Sequence, residues 1–280
     1  MRVVVMTDST AYIPADVRNK LNIEMLPLNV LIDQASYQEE IDLTADDFYP
    51  LVRKAKELPK TSQPSIGYIK DKLENLANDY DAVISIHLSS GISGTYQALI
   101  TASNMVKGIT VYPFDSEISC MAQGFYVLEA AEMVKTGAAP ETIMTRLNQM
   151  QKAMRGYFVV DDLTHLHRGG RLNGAQAIVG SMLQVKPVLH FVDKKIVPFE
   201  KIRTQKKALK RIVSLFDEDA KTGKSIRAAV IHANRPQEAE SLKEELAEKY
   251  NNVEITTSYF GAVIGTHLGE GALGLVWYIK

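Results

Sequence analysis

The alternation of strand-like and helix-like segments in the first half of the chain is the feature that most constrains its fold. Apolar runs such as VVVMTD near the amino terminus, DAVISIHL at 81–88 and GITVYPFDS at 108–116 are separated by helix-like segments. Strands that alternate with helices in this way predict a parallel sheet with helices on both faces. Such a sheet binds ligands at the carboxyl ends of its strands, where TDST, HLSSGIS and FDS lie.

The other segments of this half fit the same plan. The run NIEMLPLNVLID at 22–33 is predicted to be a second extended segment, since Pro27 argues against a helix. Thr44 is predicted to cap a helix with early acidic residues. The predicted helices cover 14–20, 44–58, 65–79, 95–106 and 121–137, with a further helix at 141–154.

The second half has a different pattern, in which strands follow one another more closely. Two of them are joined only by a tight Asp193-Lys194-Lys195 turn, which predicts a hairpin. The predicted strands are 156–162, 186–193, 195–202, 226–234 and 252–261, and the amphipathic helices are 203–223 and 235–250. We therefore predict an α/β protein with an N-terminal parallel-sheet three-layer domain at 1–155 and a C-terminal α+β domain at 156–280. A ligand pocket is expected between the two domains.

Composition excludes several classes of function. The chain has 280 residues, of which 46% are hydrophobic, and a chain of this length buries about 75% of its unfolded surface. Its 32 basic and 33 acidic side chains leave a net charge of -1, which gives no basic face for nucleic acid or an anionic membrane. The single cysteine, Cys120, excludes an internal disulfide and a multi-cysteine metal site. No stretch approaches the ~18 apolar residues of a membrane span, so we expect a cytoplasmic protein without a span.

SSGISGT at 89–95 is the first polar segment with binding potential. Gly91 and Gly94 permit tight curvature, successive amides can form an anion-binding nest, and the following helix points its positive end at the same place. The hydroxyls of Ser93 and Thr95 add donors. Ordinary strand-to-helix cap chemistry explains the same residues equally well.

Two catalytic motifs, one compared with residues 91–95 and one with residues 218–225, each lack a required glycine. A nucleophile elbow requires G-x-S-x-G, but Thr95 stands where the last glycine should be. The tripeptide Gly223-Lys224-Ser225 has Glu218 in place of the first glycine of a Walker A loop. Neither an esterase nor a P-loop kinase is indicated.

Three more segments carry candidate side chains. KTSQPS at 60–65 places the hydroxyls of Thr61 and Ser62 before a helix, where they are either ligands or caps. In DDLTHLHRGGRLNG at 161–174, His165 and His167 would share a face on a strand, but a metal site would need a third ligand, and an exposed loop is expected. GAVIGTHLGEGALGL at 261–275 surrounds His267 with glycines, which indicates backbone packed closely against a ligand or strand.

Taken together, these segments resemble the DegV family, bacterial fatty-acid-binding proteins that serve as the carrier subunit of fatty acid kinase. The match runs in order across essentially the whole chain, which makes it far more specific than any one motif. It comprises TDST, TSQPS, SSGISGTYQA, VDDL, GGRLNGAQA, VKPVL, EKIRT and GTHLGEGALGL.

The resemblance implies a fatty acid in a buried apolar tunnel between the domains. It implies that Thr61 and Ser93 hold the carboxylate and that His267 belongs to the same polar cluster. Arg203 resembles an arginine implicated in meeting the kinase, and Arg171, in a comparable exposed loop, is a second candidate for partner contact. The predicted carboxylate-binding residues are Thr61, Ser62, Ser93, Gly94, Thr95 and His267.

A buried carboxylate needs hydrogen bonds, so hydroxyl and amide donors are expected to meet it, and neutral donors suffice. The resemblance implies a non-catalytic carrier with no metal or cofactor besides its long-chain fatty acid. A separate ATP-dependent kinase would form the acyl phosphate for phospholipid synthesis; an acyltransferase partner and transient membrane contact stay open.

Two alternatives remain open at this point. One is a phosphotransfer or dihydroxyacetone-kinase-like enzyme subunit in which His267 or His87 carries a covalent group, although His87 in mid-strand is better explained as a core histidine. The other is a regulatory lipid sensor without a kinase partner.

Overall fold

The computed structural model describes residues 1–173 and 185–280; residues 174–177, which end the GGRLNGAQA motif, therefore lie outside the described residues. A 3₁₀ turn at Ser9–Ala11 follows the first strand. The other elements of the first half are β1 Val3–Asp8, α1 Ala15–Leu21, β2 Ile23–Leu26, β3 Asn29–Ile32, β4 Ala35–Gln38, α2 Ala45–Val52, β5 Lys60–Ser62, α3 Ile66–Leu76, β6 Ala82–His87, α4 Thr95–Ser103, β7 Thr110–Asp115, α5 Cys120–Lys135 and α6 Pro140–Ala153.

The second half begins at Arg155 and ends with the carboxyl-terminal strand. Its described elements are β8 Arg155–Val159, α7 Thr164–Arg168, β9 Val188–Val192, β10 Lys195–Glu200, α8 Gln205–Ala220, β11 Ile226–His232, α9 Pro236–Lys249, β12 Val253–Tyr259, α10 Ala262–Leu268 and β13 Leu273–Ile279. No helix within 1–173 or 185–280 is long and apolar enough to cross a membrane.

A four-stranded sheet in the order β2-β1-β6-β7 forms the centre of the first unit, and all its neighbouring strands are parallel. Successive residues of β1 face opposite sides of the sheet. Val4 and Met6 pack in one cluster with α3 and α4, whereas Val5 belongs to the cluster that contains α5. The predicted three-layer arrangement is confirmed.

A six-stranded mixed sheet in the order β10-β9-β8-β13-β11-β12 forms the second unit. Only β11 and β12 are parallel to each other, and β9 and β10 form the predicted hairpin. Helices α8 and α9 cover one face through Ile212, Phe216 and Leu246. The other face contributes Phe158 and Val276 to the same core as α5 and α6.

The two units meet through this shared core. The parallel sheet is complete at β7, and the mixed sheet begins with β8, directly after α6. The α/β fold class with a parallel-sheet unit and a separate mixed-sheet unit is confirmed. The division of the domains at residues 155 and 156 agrees with this change of sheet but stays a prediction.

Three local predictions were wrong. The run at 22–33 is not one strand, because Pro27 separates β2, in the parallel sheet, from β3, which pairs with β4 and β5 in a small third sheet. The helix capped by Thr44 ends at Val52 rather than at residue 58. Part of 161–174 forms the short helix α7, so His165 and His167 do not share a face.

The glycine-rich segment at 261–275 contains a helix and a strand that the sequence pattern did not separate. Gly269 and Gly271 have positive φ values of 76° and 90°, which only glycine adopts readily. They end α10 and turn the chain into β13, a central strand of the mixed sheet. His267 is thereby placed in the last turn of a buried helix.

Candidate functional site

A cavity of about 320 Å³ lies between the parallel sheet and the face of the mixed sheet that α8 and α9 do not cover. This volume falls in the range of about 300–1,000 Å³ that is typical of small-molecule sites. Most of its wall is apolar and comes from both units: Leu28, Leu88, Ile92, Ile118, Phe158, Phe191, Ile196, Ile231, Phe260, Val263, Ile264, Leu268 and Val276. The loops after β6 and β7 line the cavity, as expected for a pocket at the carboxyl ends of parallel strands, whereas TDST at 7–10 does not.

Polar side chains from four separate segments line the same cavity. These residues, called the polar end below, are Thr61, Ser62, Gln63, Ser93, Arg171 and His267. A second, more open cavity of about 810 Å³ shares Thr61, Arg171 and His267 with the first. The polar end therefore adjoins a passage whose outer wall carries the exposed cations Lys56, Lys60 and Arg168.

The loop at 88–94 is fixed to the end of β6 by a buried network. Asp8 accepts hydrogen bonds from the Leu88 N–H and the Thr10 hydroxyl, and it pairs with Nδ1 of His87 at 3.0 Å. Burial raises the pKa of Asp8, but its contacts with His87 and these donors hold the pKa below its ordinary value. Nε2 of His87 contacts the Ser85 hydroxyl at 2.7 Å. His87 is fully buried, which confirms its interpretation as a core histidine.

The two glycines of this loop are required by close packing rather than by positive φ. A Cβ atom on Gly91 would lie 2.2 Å from the carbonyl oxygen of Lys194, in the β9–β10 turn. A Cβ atom on Gly94 would lie 2.0 Å from Oε1 of Gln63. The glycines thus let the mixed sheet and the 61–63 segment approach the start of α4.

Ser93 lies one residue before Gly94, the N-cap of α4. Its Oγ accepts a hydrogen bond from the Thr95 N–H at 3.3 Å and contacts the Thr95 hydroxyl at 2.9 Å. Thr95 is fully buried and is not part of the cavity wall. The Thr95 side chain is directed at Ser93, so its contact with a ligand stays a prediction and would be made through Ser93.

Thr61 and His267 form a pair across the two units. Oγ1 of Thr61, on β5, lies 2.8 Å from Nε2 of His267, on α10. Burial, together with the charge of Arg171 and the nearby His165, lowers the pKa of His267 from 6.5 to about 4. His267 is consequently neutral at physiological pH. Gly169 packs on its ring, since a Cβ atom there would lie 2.5 Å from Nδ1.

Arg171 corrects two sequence predictions. It is partly buried rather than exposed, and its Nε donates to the carbonyl of Ile92 at 3.2 Å while NH1 donates to the carbonyl of Gly169. Because its side chain lines the cavity, the donors at the polar end are not all neutral. The prediction of an exposed loop was wrong because Arg171 turns back towards the loop that follows β6.

The structure brings most of the predicted ligand residues together. Thr61, Ser62, Ser93, Gly94 and His267 all line one cavity. Arg203 is exposed in the segment between β10 and α8 and is not among the cavity residues, as befits a candidate for partner contact. Within the described residues, no group of three His, Cys, Asp or Glu side chains is placed to hold a metal ion.

Sequence reasoning missed other lining residues. Gln63 lies within KTSQPS, where the sequence pattern indicates no role for it, yet it packs on Gly94 and lines the cavity. Ser119 and Cys120, at the start of α5, also form part of the wall. Their position directly after the β7 strand end was the only available signal.

The whole chain is similar to proteins of one known family. A family model described as "Uncharacterised protein, DegV family" matches residues 2–280. The chain belongs to the DegV family. Protein DegV of Bacillus subtilis strain 168 is 60% identical over 281 residues, and the match covers 100% of both chains.

Solved DegV structures share the whole fold. The crystal structure of DegV, reported as a fatty acid binding protein from Bacillus subtilis, has a TM-score of 0.96 at 59% identity and covers 100% of both chains. A DegV family protein from Thermus thermophilus, reported with fatty acid binding, has a TM-score of 0.92 at 31% identity, also over 100% of both chains. The predicted family membership is confirmed. The polar end is formed by residues of TSQPS, SSGISGT, GGRLN and GTHLG.

Proposed function

We propose that this protein binds a long-chain fatty acid in the cavity between its two units, with the carboxylate at the polar end. The observation that carries this proposal is the lining of the cavity. Most of its wall is apolar, and it is polar where Thr61, Ser93, Arg171 and His267 converge. The fatty acid binding reported for the Bacillus and Thermus relatives supports the same ligand.

Hydrogen bonds at the polar end suit a carboxylate. A neutral histidine has one N–H, and when Nε2 carries the proton it donates to Thr61, which leaves the Thr61 hydroxyl hydrogen for the ligand. When Thr95 donates its hydroxyl to Ser93, the Ser93 hydrogen is likewise available. Arg171 adds positive charge at the same place, which lowers the cost of burying an anion.

The apolar wall supplies the affinity. Each methylene group moved from water into such an environment contributes about 0.8 kcal/mol, so an extended acyl chain offsets the cost of desolvating its head. The wall combines branched aliphatic and aromatic side chains from both sheets, among them Ile231, Phe260 and Val276. The tail thus contacts both units at once.

The role that we propose for the bound lipid is presentation to a separate ATP-dependent kinase. The kinase would convert the carboxylate to an acyl phosphate for phospholipid synthesis, with an acyltransferase as a subsequent partner. The passage at the polar end supports this role, because it connects Thr61 and His267 with exposed cations that suit a phosphoryl donor. Arg203 is the proposed contact with the kinase, and the protein itself would be a cytoplasmic carrier rather than the catalyst.

Calorimetry with a matched pair of ligands tests the binding mode. Delipidated protein is titrated with palmitate and with cetyl alcohol, which has the same tail but no carboxylate. We expect palmitate to bind at least about tenfold more tightly, which corresponds to about 1.4 kcal/mol from charge-assisted hydrogen bonds. Equal affinities would contradict the assignment of the polar end as a carboxylate site, and no binding of either ligand would contradict the lipid-binding function.

An enzyme that carries a phosphoryl group on His87 is not favoured by the structure. His87 is fully buried and contacts Asp8 through one ring nitrogen and Ser85 through the other. A lipid sensor without a kinase would show the same calorimetry, so acyl phosphate formation with the kinase distinguishes the carrier from the sensor.

A further inference from the structure

A second space, partly open to solvent and lined in part by polar residues, adjoins the acyl cavity away from its polar end. It has a volume of about 240 Å³ and is called the distal pocket below. The distal pocket and the acyl cavity share four wall residues: Ile118, Gly156, Tyr157 and Phe191. None of Thr61, Ser93, Arg171 and His267 lines the distal pocket. The two spaces are therefore separated only by a shared wall.

That wall is thin where Ile118 meets Gly156. A Cβ atom on Gly156 would lie 2.8 Å from Cδ1 of Ile118, so the end of the isoleucine side chain rests directly on the glycine backbone. Ile118 lies in the segment between β7 and α5, and Gly156 lies on β8. A change of rotamer at one isoleucine is the smallest movement that would join the two spaces.

A hydroxyl group in the distal pocket has unused hydrogen-bonding capacity. Tyr126, on α5, is fully buried and lines this pocket, and its hydroxyl has no partner among the described residues. Burying a hydroxyl without a partner is costly, and buried tyrosine hydroxyls usually find one. The neighbouring polar groups do not serve Tyr126, because Ser116 donates to the carbonyl of Ile118 and the Gln151 amide donates to the carbonyl of Asp115.

We propose that the distal pocket receives the far end of a long acyl chain that carries a hydroxyl or keto group, which hydrogen-bonds to Tyr126. Ile118 separates this pocket from the acyl cavity and is displaced when such a chain enters. The inference rests on the proposed fatty acid binding and concerns its substrate class. An unsubstituted chain end would leave the Tyr126 hydroxyl without a partner, whereas an oxygenated end supplies one.

Four ligands and one isosteric variant test the proposal. The dissociation constants of palmitate, stearate and their ω-hydroxy derivatives are measured by calorimetry for the wild type and for Tyr126→Phe. We expect Tyr126→Phe to weaken binding of at least one ω-hydroxy ligand by about three- to tenfold, the worth of one hydrogen bond, and to leave the unsubstituted ligands unchanged. Tyr112→Phe, which removes a hydroxyl that donates to Glu141 at 2.7 Å, is the matched control.

A second variant acts on the wall instead of the hydroxyl. Ile118→Val removes the methyl group that rests on Gly156, and it should strengthen binding of ω-hydroxystearate relative to stearate, but only while Tyr126 is present. Equal effects of Tyr126→Phe on both ligand classes, or an unchanged ratio in Ile118→Val, would overturn the proposal. Failure of palmitate and stearate to bind the wild type would instead overturn the proposed function itself.

Discussion

Ser93 is the side chain whose proposed role is easiest to isolate. Ser93→Ala should weaken palmitate binding by about tenfold, because a hydrogen bond to a charged group contributes about 1.5–3 kcal/mol. The measurement is calorimetry on delipidated protein. Ser90→Ala is the control, since Ser90 lies in the same loop but donates to Asp115 and does not line the cavity. Equal affinities for wild type and Ser93→Ala would remove Ser93 from the site.

His267 makes a prediction about acid sensitivity. Its pKa is about 4 in the folded protein against 6.5 ordinarily, so the unfolded chain binds more protons between these values. The contribution of His267 therefore lowers the free energy of unfolding as the pH falls from about 6.5 to about 4. His267→Gln should flatten the pH dependence of denaturant unfolding in this window, whereas His167→Gln, on the exposed side of α7, should not. Identical profiles for His267→Gln and wild type would contradict the neutral, buried state.

Helix α10 is held at its first turn by groups from the other unit. Glu39, which is fully buried, accepts hydrogen bonds from the Ser9 and Tyr12 hydroxyls and from the Val263 N–H. The Tyr49 hydroxyl donates to the carbonyl of Phe260 at 2.6 Å. These contacts fix the helix whose last turn carries His267. The two that reach the helix end, from Glu39 to Val263 and from Tyr49 to Phe260, were not visible in the sequence because they join positions more than 200 residues apart.

Glu39 should act on stability in the direction opposite to His267. Burial raises the pKa of Glu39 from 4.5 to about 7, against the lowering effect of its hydrogen-bond donors. A raised pKa gives a contribution that is present below about pH 4.5 and is lost as the pH rises through about 7. Glu39→Gln should thus reduce the loss of unfolding free energy across this window in denaturant titrations.

The control for this prediction is Glu57→Gln, at an exposed position. A wild-type profile that Glu39→Gln leaves unaltered would mean that Glu39 does not titrate in the window. A change of equal size in Glu57→Gln would attribute the effect to net charge rather than to the buried carboxyl.

The local sequence pattern was sufficient to predict most helices and strands, but it did not predict the contacts that complete the polar end. Apolar runs gave β1, β6 and β7, and the strand-end rule placed SSGISGT at the cavity. The pattern could not show that Thr61 lies on β5, because a three-residue strand has too little periodicity to be distinguished from a cap. It also could not show that Arg171 turns inward, because that depends on Gly169 packing against His267.

We propose that separate regions of the molecule contact a partner protein and hold the lipid. Arg203 is exposed next to α8, and Lys221, at the other end of that helix, is also exposed. We expect Arg203→Ala to leave palmitate affinity unchanged while it reduces acyl phosphate formation with the kinase severalfold. Lys221→Ala serves as the charge-matched control. Normal turnover of Arg203→Ala would place the docking surface elsewhere.

Because the cavity lies between the two sheets, binding of a ligand there and stability of the folded state are coupled. A fatty acid that contacts both units binds the folded chain and not the unfolded one, so it stabilises the folded state in proportion to its concentration and affinity. Loss of the lipid should leave an apolar surface inside an otherwise well-packed core. The protein is therefore expected to retain its ligand when it is purified from cells.

Native mass spectrometry of protein purified gently from bacterial cells shows whether a fatty acid occupies the cavity. We expect a population heavier than the bare chain by the mass of one long-chain fatty acid, which extraction into organic solvent should release and identify. Repeated recovery of the bare chain alone, under conditions that preserve other lipid complexes, would contradict this expectation.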